Sequence, residues 1–127
     1  MPQSAVSPDA PNVQNAVLTK AVLRAAEHLD VKGRRLAVIL GVSEPSLSRM
    51  RRGSLTLDAG SKPFELGVLF VRLFRSLDAI VGGDDAVAQA WLANPNSALA
   101  GKPIEKIETI AGLLDVLAYL DARRALV

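Results

Sequence analysis

No cysteine occurs anywhere in the 127 residues, and histidine occurs once, at His28. The first absence excludes disulfides and thiolate metal sites and is compatible with a reducing cytoplasm. Together the two remove most nucleophile–base pairs. Aromatic residues make up only 4% of a chain that is 50% hydrophobic, so the core has to be built from Leu, Val, Ile and Ala. That composition favours helices over sheets. No apolar run reaches the roughly eighteen residues that suggest a membrane span. The N-terminus has no basic start followed by an apolar stretch, so it does not read as a secretory signal. Gly82-Gly83 lacks both a following Lys-Ser/Thr and a preceding strand, so no phosphate loop is present. The acids fall at capping and surface positions rather than paired in an apolar pocket. The sequence therefore predicts no catalytic residues, no metal and no cofactor.

What is present is an uneven distribution of charge. Residues 1–63 hold nine Lys/Arg and five Asp/Glu, a net +4, whereas residues 64–127 hold six and eight, a net −2. A basic front and an acidic back predict different partners for the two halves.

The stretch from Gly33 to Gly53, GRRLAVILGVSEPSLSRMRRG, has the pattern of a helix-turn-helix. Leu36, Ala37 and Leu40 share one face of a first short helix. Gly41 stands where the turn needs a residue that tolerates positive φ. Val42 plugs the turn. Ser43 can cap the second helix, and Pro45 fits its first turn, where a missing N–H leaves nothing unsatisfied. Leu47 and Met50 form the inner face of the second helix. Ser46, Ser48, Arg49, Arg51 and Arg52 then point outward. Within and beside the motif stand Lys32, Arg34, Arg35, Arg49, Arg51 and Arg52, against a single acid inside it, Glu44. An ordinary helical hairpin with a solvated basic face is the competing interpretation. The charge bias favours DNA. Ser43, Ser46, Ser48 and Arg49 are the candidate contacts at the recognition helix, with Ser46 and Arg49 assigned to base edges. Arg34, Arg35, Arg51 and Arg52 are assigned to phosphates.

Around this motif the periodicity is helical. Residues 1–15, with three prolines in the first twelve, are expected to form a flexible arm. The stripe Leu18, Val22, Ala25, Leu29 predicts a helix from about Val13 to Leu29. His28 fits a helix-end position and is given no chemistry. Turn residues Asp58, Gly60, Ser61 and Pro63 mark a connection, which puts the domain boundary after residue 62. Phe64 to Val81 is the most hydrophobic segment. Its stripe includes Leu66, Phe70, Leu73 and Leu77, and Val68, Val71 and Phe74 lie outside it. Such a helix is either central to the fold or covered by a second subunit. Val68, Val71 and Phe74 are therefore the candidate dimerisation residues. Short helices are expected from Asp84 to Leu92 and from Pro103. A last helix from Ile110 to Ala125 is expected to be capped by Thr109, with an inner stripe of Leu113, Leu114, Leu117 and Leu120. The prediction is an all-α chain: a helix-turn-helix domain over 16–62 and a small helical domain over 63–127 that binds a partner, dimerises or both.

The string AWLANPNSALAGKPIEKIETIAGLLDVLAYLDAR resembles the C-terminal toxin-binding domain of Xre/MbcA/ParS-type antitoxins. The matching features are Trp91 and Leu92 at a helix end, the Asn94-Pro95-Asn96 turn, Leu99, Gly101, Pro103, Ile107, Thr109 and Gly112. The upstream helix-turn-helix is also a feature of that family, so the resemblance covers roughly residues 16–125. Members often close with a glycine and a short extension, whereas this chain ends Arg123-Arg124-Ala125-Leu126-Val127. The resemblance implies an antitoxin of a type II toxin–antitoxin module. Its usual partner is a RES-domain toxin that degrades NAD⁺, or a related ADP-ribosyltransferase-like toxin, and the NAD would belong to the toxin. It implies toxin binding through the back half, with Trp91, Pro103 and Tyr119 as candidate contacts, and binding to the operator of its own operon. Arg123, Arg124, Leu126 and Val127 join the toxin-binding candidates. Two apolar residues on a free end suit terminus capture by a partner.

Two other functions compete with this one. One is a stand-alone transcriptional regulator whose back half dimerises or senses a small molecule. The other is a helical adaptor that binds protein only. A neighbouring toxin gene separates the first reading from the regulator, and salt-dependent DNA binding separates both from the adaptor.

Overall fold

A computed structural model describes the backbone of residues 9–126 and the side chains of residues 13–126. Among the described residues there are seven α-helices and no strands. They are α1 (Asp9–Leu29), α2 (Gly33–Leu40), α3 (Glu44–Arg51), α4 (Lys62–Ile80), α5 (Asp85–Ala93), α6 (Pro103–Lys106) and α7 (Ile110–Arg124). A single 3₁₀ turn, Ser97–Leu99, lies between α5 and α6.

Part of the stretch expected as a flexible arm is helical. Residues 1–8 lie outside the described residues, and Asp9 to Asn15 form the first turns of α1. Asn15 is buried, and its carboxamide oxygen accepts the Ala59 N–H at 2.8 Å. Thr19, one turn on, donates its hydroxyl to the Asn15 carbonyl at 2.7 Å and accepts the Leu57 N–H at 2.9 Å. These two side chains replace the water that the connection after α3 would otherwise need. They pin it along α1 and seat Leu57 in the core.

Helix α4 is the hub. It packs chiefly against α7 and α1, and also against α2 and α5. Ser61 caps it by accepting the Phe64 N–H at 3.3 Å, and Pro63 occupies its first turn. Leu66, Phe70, Leu73 and Leu77 are buried in a single apolar cluster. That cluster also holds Val22 and Leu29 of α1, Leu36 and Leu40 of α2, Leu47 and Met50 of α3, and Leu113 and Leu120 of α7. Burying each such side chain contributes about 1.5–3 kcal/mol. At Gly67 the crossing with α1 is close: a Cβ there would lie 3.1 Å from Val22 Cγ2 and 3.2 Å from Leu57 Cδ1.

Helix α7 buries Leu113, Val116, Leu117 and Leu120, whereas Leu114, expected on the inner stripe, is 47% exposed. The stripe runs through Val116 instead, because α4 and α6 cover that side of the helix.

Candidate functional site

The turn between α2 and α3 is closed by Gly41 at φ 71°, which lets Gly41 N–H reach Val38 O and Val42 N–H reach Ala37 O, at 3.2 and 3.0 Å. Ser43 then caps α3, accepting the Ser46 N–H at 3.1 Å. Leu47 and Met50 are buried. What remains on the outer side is a short polar chain: Ser43 donates its hydroxyl to Ser46 Oγ at 3.0 Å, and Arg49 Nη2 donates to the same oxygen at 3.2 Å. This chain orients the Arg49 guanidinium along the start of α3. Ser43, Ser48, Arg49, Arg51 and Arg52 are exposed and Ser46 is half-buried. Arg51 lines a cleft with Glu27, Asp30 and Lys32 at the end of α1, so acids lie close to one of the expected phosphate contacts. Arg34 is exposed. Arg35 is engaged within the chain: its Nε lies 2.7 Å from Glu108 Oε2.

The back half gathers a second cluster. Trp91 at the end of α5 and Tyr119 on α7 stack with centroids 6.2 Å apart and planes at 20°. Arg123 lies over the same tyrosine, 5.7 Å from its centroid, and Arg123 Nη1 donates to the Tyr119 hydroxyl at 3.1 Å. Both aromatic rings are half-buried, the form expected of anchors with one wet face. Two other expected contacts stand apart from this cluster. Pro103 is buried at the start of α6. Arg124 turns to α4, where its Nη1 donates to Ser76 Oγ at 3.4 Å, beside a 2.7 Å bond from Ser76 to Asp121. Leu126 is 85% exposed, and Val127 lies outside the described residues.

The three residues of the expected dimer face differ in exposure. Val71 is 8% exposed and belongs to the core. Phe74 is half-buried and stacks on His28 at 5.1 Å. The His28 ring is held in turn by Asp85, Nδ1 to Oδ2 at 2.8 Å, which ties α1 to α5. Val68 is the most exposed of the three, and the exposed apolar residues of α1 are Val13 and Val17. Sequence reasoning missed these two valines, Glu108, and the Asn15–Thr19 pair. The last had a signal: positions 15, 19, 22 and 26 share the buried stripe of α1, so polar residues there need partners. Among the described residues no group of three His, Asp or Glu could hold a metal ion, and no helix is long and apolar enough to cross a membrane.

The model of the antitoxin Xre-like helix-turn-helix domain matches residues 10–72, and the model of the antitoxin Xre/MbcA/ParS C-terminal toxin-binding domain matches residues 76–125. The chain belongs to the Xre/MbcA/ParS antitoxins. No curated protein matches the antitoxin in sequence. It is an all-α toxin–antitoxin component with a DNA-binding helix-turn-helix and a toxin-binding domain. The Ser43–Ser46–Arg49 chain lies in the first of these and the Trp91–Tyr119–Arg123 cluster in the second.

Proposed function

We propose that this antitoxin neutralises a RES-domain, NAD⁺-degrading toxin and represses its own operon, working in the cytoplasm as a homodimer. Residues 16–62 carry the DNA contacts and residues 63–127 the toxin contacts. The observation that carries the reading is the Trp91–Tyr119–Arg123 cluster, a partly exposed aromatic pair with a cation on it. Tryptophan, tyrosine and arginine in one patch are the residue types that dominate protein–protein binding energy.

On the DNA side, Ser46 and Arg49 contact base edges, and Arg34, Arg51 and Arg52 contact phosphates, because the early residues of the second helix enter the major groove. Two such motifs spaced about 34–36 Å apart would read a palindromic operator. The exposed Val13, Val17 and Val68 offer an apolar patch for the second copy. The C-terminal residues Leu126 and Val127 enter the toxin's substrate cleft.

Co-expression with the product of the adjacent gene tests the reading. The expected result is a stable complex that stops NAD⁺ loss in cells and retards the promoter fragment of the operon. Deletion of Leu126 and Val127 should leave the complex intact and weaken inhibition. A promoter complex with no toxin partner would instead favour a stand-alone regulator.

A further inference from the structure

Arg35 and Glu108 join the two halves of the chain at their charged surfaces. Arg35 lies in the first turn of α2, and Glu108 in the turn between α6 and α7. Their Nε–Oε2 distance is 2.7 Å, with side chains 40% and 33% exposed. Lys32, Arg34, Arg35 and Val38 line a shallow cleft, and Glu108 is the acid in it. Glu108 is not a freely swinging side chain on a loose loop. Its backbone sits in a turn fixed on both sides, by Glu108 N–H on Glu105 O and Thr109 N–H on Lys106 O, both at 3.3 Å. Thr109 then caps α7 through Gly112 N–H at 3.0 Å. The back half therefore presents a carboxylate to the basic start of α2.

In a helix-turn-helix the first helix crosses the DNA backbone, so cations at its start meet phosphates. Arg35 is then claimed twice, by Glu108 and by DNA. We propose that Glu108 holds Arg35 off the phosphates in the free antitoxin, so that the toxin-binding half sets the DNA affinity of the helix-turn-helix. This rests on the DNA-binding reading of α2 and α3. An ion pair exposed to this degree is weak and screened, so phosphate can displace it. The exchange lowers DNA affinity without abolishing it, and the carboxylate left beside the phosphate adds a repulsion.

The test is binding of the full-length protein to a random-sequence duplex, followed by fluorescence anisotropy across a potassium chloride series. Glu108→Gln should bind about two- to five-fold tighter than wild type, the range set by a surface ion pair. Its plot of log affinity against log salt should steepen by up to about 0.9, the value of one more neutralised phosphate. Arg35→Ala should weaken the wild type little and the Glu108→Gln background strongly. Glu105→Gln, outside that cleft, should leave both affinity and slope unchanged. Thermal melts by circular dichroism verify that each variant is folded, and Glu108→Ala repeats the test with a different side chain. Equal affinity and slope for wild type and both Glu108 variants overturns the inference while leaving DNA binding intact. A gain that persists in full when Arg35 is removed also overturns it, since the carboxylate would then act only as a distant charge. Absence of DNA binding by every variant at low salt removes the inference together with the reading beneath it.

Discussion

The α-carbon of Gly112 rests directly against the main-chain carbonyl of Lys106, in the space a Cβ would fill. The same residue donates its N–H to Thr109 at 3.0 Å. The first turn of α7 is thereby docked on the end of α6, where backbone atoms cannot yield as a flexible side chain could. Gly112→Ala should destabilise the protein by about 1–3 kcal/mol, the range for overpacking. A thermal melt should fall by several degrees, and an unchanged melting temperature would show that the two helices can separate at no expense.

Arg49 and Arg34 should respond differently to removal. Arg49 is oriented by Ser46 at the start of α3. Arg49→Ala should cost about 1–3 kcal/mol on the operator and relax sequence choice there. Arg34→Ala should weaken operator and random DNA alike and reduce the salt slope by about 1. Titration of both variants against both DNAs checks the division, and equal weakening by Arg49→Ala on the two DNAs would move it to the phosphate class.

Trp91 and Pro103 separate contact from scaffold. Trp91→Ala should weaken toxin binding by roughly 2 kcal/mol or more, as truncation of an aromatic anchor does, with DNA affinity retained. Pro103→Ala acts on a buried residue, so any loss of toxin binding should track lost stability. Calorimetric binding beside a melt for each variant distinguishes them. Unaltered toxin affinity in Trp91→Ala would take the aromatic pair out of the interface.

Val17 and Val71 separate surface from core on the α1–α4 side. Val17 is 65% exposed and Val71 8%. Val17→Asp should shift sedimentation from dimer to monomer with helicity intact. Val71→Asp buries an unpaired carboxylate and should unfold the chain or lower its melting temperature sharply. A dimer unaffected by Val17→Asp and by Val68→Asp places the subunit contact on another face.

The helix-turn-helix was legible in the sequence because its determinants are local. Gly41, Ser43, Pro45, Leu47 and Met50 act within one turn and one short helix, and their φ, capping and spacing requirements are met by neighbours in the chain. The same holds for Thr109 and Asp84, whose side chains cap the helices that begin just after them. Faces were less legible. Leu114 and Val71 have equal claims to burial by hydrophobicity, yet one is exposed and the other buried. The difference lies in which neighbouring helix covers each side, and periodicity does not encode that choice for a helix that is apolar nearly all round.

By itself the amino-acid order determined the helical class, the turn chemistry, the charge difference between the halves and the family. Tertiary structure alone decided that α4 is central, that Thr19 and Asn15 hold the connection through Leu57 and Ala59, that Trp91 meets Tyr119, and that Arg35 meets Glu108. The physical reason is range. Capping, turn φ and helical periodicity act over about four residues, whereas these pairings join side chains far apart in the chain that become neighbours only once the helices have packed.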